Sequence, residues 1–303
     1  MELRVLQYFL AVAREQSISG AAESLFLSQP TLSRQLKELE EKLGKQLFIR
    51  GNRRITLTDE GMILRKRAEE IMELVKKAED EISLSDDLIA GDITIGTGET
   101  DGIRFLAKAA KALQENYPLI HFHIVSGDKA RVTEELDRGL IDFGLIFGDI
   151  DESKYEYIHL PYQDKWGVLM RKDSPLAEKE TVTAEDLIDK PLILSRQAFQ
   201  NSEFLEFFSC EQDKLNIVAT YNLLFNGSLM VEEGMGYAIC LDGIINVSGD
   251  SNICFRPIRP EIRASMSIIW KKYQVLTKAT ESLHFPLCHP FHSAHHKTAK
   301  YLF

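Results

Sequence analysis

The 303-residue sequence predicts a two-lobed α/β body behind an all-α head, with one long helix between them. Three observations carry that prediction. Residues 17–58 hold two short helical patterns, a tight junction and a basic hairpin. From Asp59 onward a narrow apolar seam recurs at alternating spacings of four and three. Beyond Asp92, short apolar runs alternate with helical patterns, as a mostly parallel sheet requires.

The head opens with a stripe of Leu3, Leu6, Phe9, Leu10 and Ala13, expected to pack beneath the helices that follow. Ile18, Ala21, Ala22 and Leu25 give the next helix one small apolar face, with Ser17 or Ser19 as its N-cap. Ser28 caps a third helix, Pro30 fits its first turn and Gly44 ends it. Leu32, Leu36, Leu39 and Leu43 form the buried stripe of that helix. Its opposite face carries Pro30, Arg34, Lys37 and Glu41, with Thr31 and Ser33 flanking it near the N-terminal end. Residues 46–50 and 55–58 then flank Gly51-Asn52-Arg53-Arg54 as a β-hairpin wing with a basic tip.

A small-residue helix, a short turn and a second helix with a polar N-terminal end make a winged helix-turn-helix, whose second helix enters the DNA major groove. The expected DNA-binding residues are Ser28, Gln29, Pro30, Thr31, Ser33, Arg34 and Lys37 on that helix, with Arg50, Arg53 and Arg54 on the wing. Gln29 can read adenine and Arg34 can bond a guanine edge with two donors, while Thr31 and Ser33 can bond phosphate or base. The wing arginines are placed for phosphates or a minor groove.

The stretch AAESLFLSQPTLSRQLKELEEKLGKQLFIRGNRRITLTDEG resembles the N-terminal signature of the LysR-type transcriptional regulators. The resemblance runs from residue 1 to about residue 277 and is strongest in the first 66. It implies a winged helix-turn-helix, a dimerising linker helix and a two-lobed effector domain. The protein is then expected to act as a homodimer or homotetramer on a partly palindromic promoter site and to respond to a small molecule.

Composition fits this division. The net charge of −10 splits into +3 for residues 1–66, with 11 Lys or Arg against 8 Asp or Glu, and −13 for the remainder, with 25 against 38. A local basic surface suffices for DNA, and an acidic body limits indiscriminate binding. No apolar run approaches the roughly 20 residues that span a bilayer. The amphipathic N-terminus lacks a secretory pattern, so a cytoplasmic location without membrane association is expected. Cys210, Cys240, Cys254 and Cys288 are scattered, which argues against a disulfide framework.

Thr58 caps the long helix, expected to run to about Leu88. Leu64, Ala68, Ile71, Val75, Ala78 and Ile82 form its heptad seam, expected to dimerise because so polar a helix has little else to bury. Ser85-Asp86-Asp87 and Gly91-Asp92 mark a hinge. The expected domains are therefore 1–58 for DNA binding, 59–90 for the linker helix and hinge, and 91–303 for the effector domain. Within the last, lobe I takes about 91–161 and 265–303, and lobe II about 162–264. Strands are expected at Ile93–Gly96, His121–Ser126, Asp142–Ile146, Trp166–Met170, Leu192–Ser195, Asn216–Thr220, Gly236–Leu241 and Ala264–Trp270. Helices are expected at Phe105–Gln114, Ala130–Arg138, Glu203–Phe208 and Ser228–Glu233. Two such lobes crossed twice by the chain resemble periplasmic binding proteins.

Ligands in such lobes bind beyond the carboxyl ends of the strands, where the lobes meet. Glu99, Thr100, Ser126, Phe147, Ser195, Arg196 and Phe225 are the expected effector-binding residues. Thr100, Ser126 and Ser195 could bond an anionic or polar effector with help from helix N-termini, and Arg196 could pair with a carboxylate. Gly96-x-Gly98 starts like a dinucleotide fingerprint, but Asp101 stands where its third glycine should be, so no cofactor is expected. His284, His289, His292, His295 and His296 cluster with Cys288, and a flexible tail is favoured there over a metal site. With Pro286 and Pro290, Leu283 to Phe303 does not read as the closing helix the family resemblance implies. No nucleophile elbow, phosphate loop or clean metal triad supports an enzyme. A solute-binding receptor would need the lobes without the basic head.

Overall fold

Phe9, with no exposed surface, is the centre of the core of the N-terminal unit. The computed structural model describes residues 1–51, 54–83, 89–196, 206–208 and 214–288, and the chain forms two units, Met1–Leu84 and Ser85–Phe303. The first consists of helices α1 (Leu3–Glu15), α2 (Ile18–Ser24) and α3 (Gln29–Leu43), the antiparallel pair β1 (Phe48–Arg50) and β2 (Ile55–Leu57), and helix α4 (Asp59–Ser83). The Ser17 hydroxyl accepts the Gly20 amide to start α2, Ser28 accepts the Thr31 amide to start α3, and Gly44 closes α3 with φ of 65°. Phe9, Val12, Ala21, Leu32 and Leu36 meet in one cluster, and the Phe9 and Phe48 rings lie 5.1 Å apart. Leu43 corrects the stripe read for α3. It is 43% exposed, because it stands in the last turn, where the helix leaves the core.

The α4 seam divides. Ala68 is fully buried in the head's own cluster, and Leu64 and Ile71 pack against it. Leu64 and Ile71 stay partly exposed, so the head's own core takes up part of this half of the seam. The cause is α1, which lies along this stretch of α4. Val75 is half-buried, whereas Ala78 and Ile82 are exposed. Residues 84–88, which include the expected hinge at Ser85–Asp87, lie outside the described residues.

The second unit holds β3 (Gly91–Thr97), α5 (Ile103–Asn116), β4 (Ile120–Ser126), α6 (Lys129–Asp137), β5 (Phe143–Phe147) and β6 (Tyr155–Arg171). Then follow β7 (Leu192–Ser195), β8 (Ile217–Tyr221), α7 (Leu224–Glu232), β9 (Tyr237–Leu241), β10 (Ile253–Pro257), β11 (Arg263–Lys271) and α8 (Lys278–Cys288). The strands form one sheet in the order β4-β3-β5-β11-β6-β9-β7-β8, with β10 also on β6. Two parallel sets, β4-β3-β5 and β9-β7-β8, are joined by antiparallel pairings through β6 and β11. The sheet is thus more mixed than the alternation of strands and helices predicts.

The 17-residue β6 explains this. Its first part, Tyr155–Lys165, pairs with β11, and its second, from Trp166, pairs with β9 and β10. One strand therefore serves both halves, called lobe I (β3, β4, β5) and lobe II (β7, β8, β9) below. Expectation placed only Trp166–Met170 in a strand and missed β10. Each lobe is covered on both faces. In lobe I, Leu106, Leu113 and Leu283 pack on one face and Val132 and Leu136 on the other. Gly96 allows the second contact, since a Cβ there would lie 2.6 Å from Ile141 and 3.1 Å from Val132. Its role is close packing rather than phosphate binding. Helix α8 corrects the reading of the C-terminus: it runs through Pro286, and Leu283 is fully buried against lobe I. Most of the helix expected at Glu203–Phe208 and the chain beyond Cys288, including His289, His292, His295 and His296, lie outside the described residues.

A candidate DNA-reading surface and a candidate ligand cavity

Burial of Leu32, Leu36 and Leu39 turns the opposite face of α3 outward. Gln29, Pro30, Thr31, Arg34 and Lys37 are exposed on it and Ser33 is half-buried beside them. Ser28 does double work, since its hydroxyl caps the helix and lies 2.7 Å from the Thr31 hydroxyl. Arg34 and Lys37 rest against Glu38 and Glu41 at 3.7 and 3.5 Å, exposed pairs that yield readily to a phosphate or a base. Arg54 is exposed on the wing. The Arg50 backbone lies in β1, its side chain is among those not described, and Arg53 lies outside the described residues.

Two features here escaped the sequence reading. The Glu40 carboxylate accepts the Leu47 and Phe48 amides at 2.7 and 3.2 Å, tying the wing to α3. Phe26, in the turn between α2 and α3, has φ of 56° and is 97% exposed, a costly placement for an aromatic ring.

In the second unit, a cavity of about 450 Å³ opens where β6 and β11 pass from lobe I to lobe II. Of the expected residues, Glu99, Phe147 and Ser195 line it. Thr100 does not: it is buried, its hydroxyl donates to Asp164 at 2.7 Å and accepts the Gly102 amide at 2.9 Å. Ser126, Arg196 and Phe225 are exposed, the last at 61%, and also fall outside the lining. These four stand apart from the cavity.

The remaining lining comes from elements whose spacing carries no motif. The crossing strands contribute His159, Trp166, Arg263, Ala264, Ser265 and Ser267, the α6 start contributes Lys129, and lobe II adds Tyr221, Asn222 and Leu241. His159 Nδ1 lies 2.8 Å from the Ser267 hydroxyl, and Lys129 donates to the Asp149 carbonyl. Arg263 pairs with Glu261 at the rim. The Tyr221 hydroxyl donates to the Ile239 carbonyl at 2.7 Å, and burial, with Cys240 and Glu99 nearby, pushes its pKa well up. Both signs of charge and several hydroxyls thus face one space, which suits a small polar molecule. Beside it, burial raises the Asp164 pKa, the Thr100 and Tyr162 hydroxyls oppose that shift, and Asp101 and Asp242 add repulsion.

The fold defines a DNA-binding head with a ligand-binding body, and comparison with known proteins gives the class. Residues 3–62 match the bacterial regulatory helix-turn-helix protein family of lysR type, and residues 86–284 match the LysR substrate binding domain. The chain belongs to the LysR family of transcriptional regulators, DNA-binding proteins controlled through an effector-binding domain. Among relatives, it is 32% identical over 218 residues to the regulator AlsR of Bacillus subtilis, covering 70% of each chain. It is 29% identical over 280 residues to the Hca operon transcriptional activator HcaR of Escherichia coli, covering 90% of this chain and 92% of that one. The solved structure of full-length CbnR complexed with its target DNA has the same fold, with a TM-score of 0.74 at 22% identity over 95% of this chain and 99% of that one. No helix among the described residues is long and apolar enough to cross a membrane.

Proposed function

We propose that the head reads double-stranded promoter DNA through the N-terminal end of α3, with Gln29 and Arg34 on base edges and Ser28, Thr31, Ser33 and Lys37 on phosphates or bases. The wing arginines Arg50, Arg53 and Arg54 hold the neighbouring backbone. Two copies pair through the second half of α4, where Val75, Ala78 and Ile82 have little of their own chain to cover them, giving a homodimer or homotetramer in the cytoplasm. The cavity between the lobes takes a small polar effector that biases one lobe arrangement and hence the disposition of the heads. The protein acts by binding and not as an enzyme. What carries this reading is the exposed polar row on α3 opposite its buried leucines.

The test is selection of sites from random duplexes with the full chain, followed by salt titration of the enriched site. A partly palindromic site whose affinity falls steeply with salt is expected. Recovery of no preferred sequence would overturn the proposal.

A further inference from the structure

Helix α7 begins without a local cap. Its N-cap residue is Leu223, an apolar side chain with no acceptor, where Ser, Thr, Asp or Asn usually stands. The Asn222 side chain turns to the Leu223 amide instead. The first helical amide, that of Leu224, donates to the carboxylate of Glu99, 125 residues earlier in the chain and on the loop after β3 of lobe I. Glu99 and Leu224 both line the cavity, and the buried Tyr221 below them feels the Glu99 charge.

We propose that Glu99 is a built-in anion that latches lobe II to lobe I and keeps external carboxylates off the N-terminus of α7. An unpaired helix N-terminus facing a cavity attracts anions, through its free amides and its dipole. Here the chain fills that position from the opposite lobe, so capping α7 and holding the lobes together are one contact. The loop makes a second approach, because Asp101 packs so near Gly243 of lobe II that a Cβ there would lie 3.2 Å away. A ligand reaching this end of the cavity meets a carboxylate and must offer it a hydrogen-bond donor. Its own acid group is better received at Lys129 and Arg263, also in the lining. Glu99 is therefore a specificity-determining residue of the cavity. The ligand preference rests on the effector reading given above, whereas the latch does not.

The test uses the full chain as wild type, Glu99→Gln and Glu99→Ala, with hydrogen exchange followed at the Leu224 amide and sodium acetate as the probe. In the wild type, exchange is slow and acetate leaves it unchanged at constant ionic strength. Glu99→Ala should exchange about tenfold faster, the effect of losing a cap, and acetate should restore protection. Glu99→Gln keeps an acceptor without the charge and should fall between them. Circular dichroism confirms that each variant is folded, and should Glu99→Ala fail, Glu99→Gln alone decides by its faster exchange. Unchanged exchange in the variants, or equal protection of wild type by acetate, overturns the latch. DNA site selection on the same samples reports separately on the regulator reading.

Discussion

The two units solve the problem of exposing a working surface in opposite ways. In the head, one local run of sequence makes both the support and the surface. Leu32, Leu36 and Leu39 anchor α3, and the residues between them are left outside. In the second unit, the cavity wall is collected from the loop after β3, the start of α6, and β5, β6, β7, β8, α7, β9 and β11, with Gly98 and Ser267 169 positions apart in the chain. A surface built on helical periodicity can be read from spacing. One built by strand crossing depends on where two long strands change partners.

The largest expected effect tests whether the two units are independent. Phe9→Ala removes a fully buried ring that meets Phe48 at a tilt of 46°, which should cost the head about 3–5 kcal/mol. Trp166 and Trp270, the chain's two tryptophans, both lie in the second unit. Circular dichroism should therefore show an early melting step while tryptophan fluorescence melts as in the wild type. A matching drop in the fluorescence transition would mean that the units unfold together.

Next comes the division of α4. Ile82 is 84% exposed, so Ile82→Asp should leave the head's stability intact while weakening self-association. Losing a well-buried isoleucine from an interface costs about 1.5–3 kcal/mol per copy. Ile71→Asp strikes the head's own core and should lower its melting temperature as well. Sedimentation and melting on both variants separate the cases. Wild-type assembly in Ile82→Asp would place the interface elsewhere.

This division also shows where the sequence was legible. A repeat of four and three identifies a helix with one apolar seam, but not which neighbour covers it. The α1 stripe claimed Leu64, Ala68 and Ile71, and nothing in their spacing distinguishes them from Val75, Ala78 and Ile82. The caps Ser17, Ser28 and Gly44 were readable because capping depends on residues three or four apart. Glu99, Phe147 and Ser195 were readable because each follows or ends a strand at the inner edge of its lobe. Thr100 was not, since alternation after a strand end cannot say that its hydroxyl turns inward to Asp164. His159 and Ser267 were invisible, for their meeting depends on the pairing of β6 with β11, which join residues 108 positions apart. Helix α8 was passed over because Pro286 and Pro290 argued against a helix there, and strand β10 was not read at all.

A smaller effect is expected at the reading surface itself. Arg34→Ala should cost about 1–3 kcal/mol on the preferred site and relax the base preference at one position of each half-site. Its exposed pair with Glu38 contributes little, so the head's melting should hardly change. Unchanged preference in a repeated site selection would remove Arg34 from base readout and leave it a backbone contact.

The smallest expected effect lies beside the cavity and appears only against pH. Asp164 is 1% exposed on the crossing strand β6, and burial raises its pKa above the ordinary carboxylate range despite the Thr100 and Tyr162 hydroxyls. A raised folded-state value means that the folded chain holds this proton more tightly than the unfolded chain. Stability from this group is then full below the unfolded value, falls as pH rises through the window up to the folded value, and is flat above it. Asp164→Asn keeps an acceptor for Thr100 and carries no charge, so it should lose that decline. The exposed carboxylates of Asp173 and Glu261 and the half-buried one of Asp186, whose pKa values their ion pairs lower, act in the opposite sense and remain in both proteins. The tryptophan-reported melting temperature of variant minus wild type should therefore increase as pH rises through and above the ordinary carboxylate range and then level off. A difference that stays constant with pH would show that Asp164 titrates alike in the folded and unfolded chain. The crossing would then owe nothing to a buried charge.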